Sequence, residues 1–208
     1  MKLLIFGATG PTGKILLKQA IDQKHEVTAF VRNPQKLRTE AGENLRVVKG
    51  DILDAETVEE AVKGQDAVLS VLGNTIRKPN TVLSDGTRNI IRAMEKHGVR
   101  RFVCMTSLGC GDSRGQDGFV FGKIFRPLLL REVFADKDRQ EEVIKQSNLD
   151  WVIVRPAGLI NKAEKGNFRA GTDKSITAGR ISRADAARFT LEQATSDKFL
   201  LQTPAIAY

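Results

Sequence analysis

Tyrosine is nearly absent from these 208 residues: the one copy, Tyr208, is the last residue. Chemistry that needs a phenol within the body of the chain therefore has no residue to use. Cysteine is as scarce. Cys104 and Cys110 form no C-x-x-C or other metal-type spacing, so a reduced chain without a disulfide framework is expected. The two histidines, His25 and His97, have no metal-ligating company; His97 precedes Gly98 at an expected helix end, where it favours the dipole. No metal site is expected. No stretch approaches the roughly 20 apolar residues of a membrane span, and the run Leu3–Phe6 is too short for a signal-peptide core. These absences point to a soluble, cytoplasmic protein. Also missing is any block of five or six basic residues with aromatics interleaved. The 33 Lys and Arg against 25 Asp and Glu, a net charge of +8, thus favour small anionic ligands over nucleic acid as the primary partner.

What is present is a globular composition, 41% hydrophobic and 28% charged, in a length suited to one domain spanning 1–208. Strand-like and helix-like segments alternate. Strands are predicted at 2–6, 26–31, 45–48, 66–72, 101–105 and 151–154, with helices between them at about 12–21, after Asp54, 80–96 and 131–147. A last helix covers about 183–193. Asp54 is a helix N-cap, and Gly98 a helix C-terminal glycine. This order predicts a doubly wound parallel sheet of Rossmann type with helices on both faces. Residues 109–130 and 157–180 resist the pattern. They follow strands that end on the ligand side, so the loops 73–80, 107–130 and 155–180 are expected to form an acceptor pocket.

Between the first strand and first helix lies Gly7-Ala8-Thr9-Gly10-Pro11-Thr12-Gly13. The first glycine permits a tight turn, the second lets backbone approach a pyrophosphate, and the third allows close helix-to-strand packing. The helix N-terminus then presents free N–H groups and partial positive charge. At the end of the second strand stands Arg32, with no carboxylate at Val31 or Asn33. An acid there would bind a ribose 2′-hydroxyl, whereas Arg suits a 2′-phosphate, so the expected cofactor is NADPH/NADP. A solvated surface arginine is the plain alternative. Asp51 is placed near the adenine or, more simply, caps its own turn.

The Gly-x-x-Gly-x-x-Gly spacing resembles atypical short-chain dehydrogenase/reductases. The resemblance continues through Val31-Arg32-Asn33, Gly50-Asp51, Leu72-Gly73, Met105-Thr106-Ser107 and Val154-Arg155-Pro156. It implies a cofactor site of Gly7, Thr9, Gly10, Pro11, Thr12, Gly13, Arg32, Asp51, Ile52, Leu72, Gly73, Thr106, Ser107 and Pro156. That family's Tyr-x-x-x-Lys pair falls on Val133 and Lys137, so the lysine remains and the tyrosine is missing. Ordinary carbonyl reduction loses its acid.

The runs Gly64-Gln65-Asp66-Ala67-Val68, Gly86-x-Arg88-Asn89-Ile90, Ala93-Met94-x-x-His97-Gly98-Val99 and Thr106-Ser107 are similar to the biliverdin reductase B/flavin reductase branch. That branch implies hydride transfer to a flavin or a biliverdin-type tetrapyrrole, acceptors that take hydride without an enzyme-bound tyrosine. It makes Ser107 a positioning hydroxyl or part of a proton path, the alternative being a hydroxyl that satisfies backbone at a strand end. Lys137 would steady an acceptor's propionate or phosphate, or simply be solvated. Where the branch can show Pro-Pro-His, this chain has Arg155-Pro156-Ala157, so a histidine relay is missing there and Arg155 is free to pair with a helix carboxylate. NmrA-type redox-sensing regulators share the turn and also lack the tyrosine, which gives a non-catalytic alternative. A monomer is compatible with the sequence.

Overall fold

The computed structural model describes residues 1–40, 44–73, 80–118, 128 and 130–208. In chain order the elements are β1 (Lys2–Phe6), α1 (Pro11–Asp22), β2 (Glu26–Val31), β3 (Leu45–Lys49), α2 (Ala55–Val62), β4 (Ala67–Ser70), α3 (Val82–His97) and β5 (Arg101–Met105). There follow α4 (Arg131–Lys145), β6 (Asp150–Pro156), β7 (Gly158–Ile160), β8 (Arg169–Gly171), β9 (Arg180–Ser182), α5 (Arg183–Glu192) and β10 (Ala205–Ala207). Short 3-10 turns occupy Pro34–Glu40 and Gly111–Ser113.

Eight strands form one sheet in the order β3-β2-β1-β4-β5-β6-β10-β8, and β7 pairs with β9 apart from it. Continuous apolar runs such as Leu3–Phe6 suit this sheet because both faces are covered. Leu3 and Ile5 pack on the face under α1 and α5, while Leu4 and Phe6 pack on the face under α2, α3 and α4. All four are fully buried, and each such side chain contributes about 1.5–3 kcal/mol when removed from water. The chain reverses its direction of winding between β1 and β4, and that switch opens a crevice at the carboxyl ends of the strands.

The prediction of a parallel sheet needs one correction: β8 runs antiparallel to β10, so the sheet is mostly parallel. Strands β7 to β10 were not anticipated, since three residues cannot display a periodicity. Strand β4 is shorter than the predicted 66–72. Asp66 instead accepts a hydrogen bond from the Lys2 backbone N–H (2.7 Å), and Val71 and Leu72 lie past the strand's end, packed against the two core faces. Helix α3 begins at Val82 rather than Asn80. Its N-terminus is capped from another helix by buried Asp136 of α4, which accepts from the Leu83 N–H (2.8 Å), the Ser84 N–H (3.3 Å) and the Ser84 hydroxyl (2.7 Å). A carboxylate there also complements the helix dipole. Asp54 caps α2 as expected, accepting from the Glu56 and Thr57 N–H groups. Gly98, at φ 70°, ends α3 in the left-handed region that glycine tolerates. Parts of the expected pocket loops, 74–79, 119–127 and 129, lie outside the described residues, among them Phe119, Phe121 and Phe125.

Candidate cofactor and acceptor site

The glycine turn is shaped by backbone. Gly7 sits at φ 86°, and a β-carbon there would meet the Val71 carbonyl oxygen at 2.8 Å. A β-carbon on Gly13 would lie 2.0 Å from the Gly7 carbonyl oxygen, so only glycine lets α1 approach β1 this closely. The Gly7 carbonyl accepts from the Gly10 N–H (3.0 Å). Gly10 is the N-cap of α1, Pro11 occupies the first turn where no N–H is needed, and that turn carries no acidic residue. Thr9 and Gly10 are half-buried, Pro11 is exposed and Thr12 is buried. This cradle of glycines at an uncapped helix N-terminus fits a dinucleotide pyrophosphate.

The ends of β2, β3 and β4 carry the other expected cofactor residues. Arg32 is exposed one residue beyond β2. Asp51 is also exposed, and its Oδ1 accepts from the Leu53 N–H (2.9 Å), so it forms the turn that was the alternative to an adenine contact. Ile52 is buried against Gly86 of α3, and its carbonyl accepts from Asn89 Nδ2 (3.0 Å). Gly86 and Asn89 thus hold Ile52 from α3. Sequence reasoning quoted both without giving a task; a glycine and an amide three residues apart on one helix were the signal. Leu72 is half-buried, and Gly73 lines the neighbouring cavity.

That cavity, about 610 Å³, lies beyond the ends of β5 and β6. Its walls include Gly73, Thr106, Ser107, Leu108, Asp117, Leu130, Pro156, Ala157, Gly158, Leu159, Ala178 and Gly179, with Val133, Phe134 and Lys137 from α4, Arg180 from β9 and Arg183 at the start of α5. Val133 and Lys137 are thus one helical turn apart on the same wall, with an isopropyl group where the resembled family has its phenol. A second cavity of about 580 Å³, lined by Lys2, Thr28, Arg46, Lys63 and Gln65 among others, opens at the amino ends of β1–β3. Ligands of open α/β sheets bind at the carboxyl ends, which singles out the first.

Beneath Ser107 is a network of buried charge. Thr106 donates its hydroxyl to Glu141 Oε1 (2.7 Å), and Lys137 Nζ donates to the Thr106 carbonyl (2.7 Å). Arg155 meets Glu141 bidentately, Nε to Oε1 at 3.0 Å and the terminal nitrogen to Oε2 at 2.5 Å, and reaches Asp112 at 2.7 Å. Glu141 and Arg155 are 0% and 2% exposed at their side chains. Burial works against the Arg155 charge, but the adjoining Glu141 and Asp112 carboxylates outweigh it and raise its pKa. Burial likewise pushes the Asp112 carboxyl up, and the Arg155 guanidinium holds it below the ordinary value. The expected pairing of Arg155 with a helix carboxylate is therefore what the structure shows, although neither partner Glu141 nor Asp112 was named. Lys137 steadies the Thr106 carbonyl, a contact sequence reasoning missed. Burial pushes the thiols of Cys104 and Cys110 up to about 12, which makes both unreactive packing groups.

Among the described residues, no three His, Cys, Asp or Glu are grouped to hold a metal, and no helix is long and apolar enough to cross a membrane. A protein-family model described as NAD(P)H-binding matches residues 7–197. An uncharacterized chloroplastic protein of Arabidopsis thaliana is 30% identical over 203 residues, covering 92% of this chain and 71% of that protein. The photosystem II assembly factor Ycf39 of Synechocystis is 30% identical over 165 residues, 77% of this chain but 45% of its own length. Among solved structures, the anaerobilin reductase ChuY of Escherichia coli O157:H7 superposes with a TM-score of 0.86 at 26% identity, covering 100% of this chain and 97% of that one.

Proposed function

The chain belongs to the NAD(P)H-binding family, and from that premise we propose that it is an NADPH-dependent oxidoreductase acting on a flavin or a linear tetrapyrrole of the biliverdin type. The observation that carries this reading is the wall shared by Ser107, Val133 and Lys137. It faces a cavity large enough for a planar ring system and offers no phenolic acid, which suits an acceptor that needs hydride more than a strong enzyme-bound proton donor. The likeness to an anaerobilin reductase supports the tetrapyrrole half of the reading.

Gly7, Gly10, Gly13 and the N-terminus of α1 would hold the pyrophosphate, with Thr9, Pro11 and Thr12 completing the turn and Arg32 facing the 2′-phosphate. Asp51, Ile52, Leu72 and Gly73 would line the adenosine and ribose path, and Thr106, Ser107 and Pro156 the nicotinamide end. The nicotinamide supplies a hydride when bound. The task of the chain is then to orient the acceptor at near-attack distance and exclude competing water. Glu141 and Lys137 clamp Thr106 from two sides, so that the half-buried Ser107 hydroxyl is presented to the cavity and relays a proton from solvent to the reduced acceptor.

NADPH oxidation with FMN, FAD, riboflavin and biliverdin tests the proposal. Turnover above the buffer rate with at least one acceptor, reduced at least tenfold in Ser107→Ala, is expected; absence of turnover with all four refutes it. The likeness to an assembly factor favours a second reading, nucleotide binding without catalysis. That reading predicts NADPH binding, no oxidation and a stable partner recovered by pull-down.

A further inference from the structure

Three cations and one carboxylate line the acceptor cavity, and their surroundings differ. Lys137 is engaged with the Thr106 carbonyl. Arg183 donates to the Leu159 carbonyl (3.1 Å) and to Asn161 Oδ1 (2.9 Å), which turns its guanidinium toward the loop after β7. The Asp117 carboxylate lies over Gly109, its Oδ2 2.6 Å from where a β-carbon would stand. Arg180 is different. It lines the cavity and is exposed, and among the described residues its guanidinium makes no hydrogen bond or ion pair.

Its root is nevertheless fixed. Arg180 pairs in register with Gly158, the residue two past Pro156, and its carbonyl accepts from the Tyr208 N–H (3.0 Å). Its Cγ passes 3.8 Å from the position of a β-carbon on Gly158, an ordinary packing distance, so the stem runs along the wall that Gly158 also lines. The preceding turn is tied to the opposite loop by the Ala178 N–H on the Gln116 carbonyl (2.5 Å) and by Gln116 Nε2 on the Ile176 carbonyl (3.3 Å). A guanidinium with an anchored stem, a free head and two like charges on the same wall is arranged to receive an anion.

We propose that Arg180 anchors an acidic arm of the acceptor, a phosphate or a carboxylate, at the mouth of the cavity and so selects acceptors that join a planar ring to such an arm. The inference rests on the oxidoreductase reading above and adds a specificity-determining residue to it. Lys137, bound to the turn, then serves the geometry of the site, and Arg180 takes the role that sequence reasoning gave to that lysine.

Steady-state kinetics with two matched pairs distinguish the sources of negative charge. FMN against riboflavin reports on phosphate, and biliverdin against its dimethyl ester reports on carboxylate. Wild-type protein is expected to favour the charged member of at least one pair by about tenfold in kcat/KM, mainly through KM. In Arg180→Gln that ratio falls to within about twofold while NADPH affinity holds, and Arg180→Lys recovers part of it. A ratio unchanged in Arg180→Gln, or no preference in the wild type, overturns the inference while leaving the oxidoreductase reading intact. Should no acceptor be turned over, that reading fails by itself, and equilibrium binding of FMN and riboflavin to NADP-loaded protein decides the anchor. Tighter FMN binding that is lost in Arg180→Gln sustains it, and equal binding sinks it.

Discussion

At the β1–α1 turn the contacts that shape the site run between backbone atoms: Gly13 against the Gly7 carbonyl, and Gly7 against Val71. No charged side chain takes part in the first turn of α1 as an acid. At the ends of β5 and β6 the shaping contacts run between side chains from distant segments: Thr106 to Glu141, Glu141 to Arg155, and Arg155 to Asp112. A phosphate cradle must present N–H groups at close range, so it is built by removing side chains. An acceptor pocket must hold one hydroxyl in place against a cavity, so it is built by bracing a turn with buried charge. The first kind of construction fails by collision and the second by leaving a charge alone.

The largest effect should come from breaking the braced end. Glu141→Ala leaves Arg155 buried without its main partner, and urea unfolding should show a loss of about 3–5 kcal/mol. Replacing both partners by apolar residues, Glu141→Leu with Arg155→Met, should return much of that stability while the turnover attributed to Ser107 stays low. If the double variant is as unstable as the single one, the network is not held by charge balance. Next comes the backbone end. Gly13→Ala puts a methyl 2.0 Å from a carbonyl oxygen, which α1 can relieve only by moving away from β1. Overpacking of this kind costs about 1–3 kcal/mol, and calorimetric titration should show NADPH affinity down by up to about 100-fold. Unaltered affinity would mean that the turn is not the pyrophosphate cradle.

A smaller change sharpens the contrast within the cofactor groove. Arg32→Ala should remove a preference for NADPH over NADH of about tenfold, about 1.4 kcal/mol, with little change in NADH affinity. Equal losses for both nucleotides would assign Arg32 to general attraction. The smallest effect is expected at Asp112, whose side chain is 58% exposed. Its folded pKa is held below the ordinary value, so its contribution is complete above an unfolded pKa near about 4 and is lost as pH falls through the lower folded one. Asp112→Asn should therefore cost under about 1 kcal/mol at neutral pH, and the gap to wild type should close in acid unfolding as pH falls through the lowered folded pKa. A gap that persists there would show that the carboxylate charge is not the cause.

Much of the frame was legible in the sequence because each signal is local. The apolar runs of β1, β4, β5 and β6, the Asp54 cap and the Gly98 stop act within a few residues of themselves. The end of β4 and the start of α3 were less clear, since Asp66 and Asp136 act through partners 64 and 53 positions away. The acceptor site was only half legible. Thr106-Ser107 was singled out through a family resemblance at the end of a strand, but the lysine one turn from Val133 holds the Thr106 carbonyl. Arg180 gave no signal at all, as an arginine beside a three-residue strand looks like any surface arginine.

Sequence by itself determined the glycine cradle, the succession of strands and helices, and the absence of any tyrosine before Tyr208. Those properties follow from sterics, chain periodicity and residue identity, which need no distant partner. Only the tertiary structure decided that β8 turns back antiparallel, that Glu141 neutralises Arg155, and that Arg180 lines the cavity beyond β5 and β6 with its guanidinium unpaired among the described residues. The reason is physical: the energy of a buried charge or an open cation depends on what the fold brings beside it, and neighbours in space are not written as neighbours in the chain.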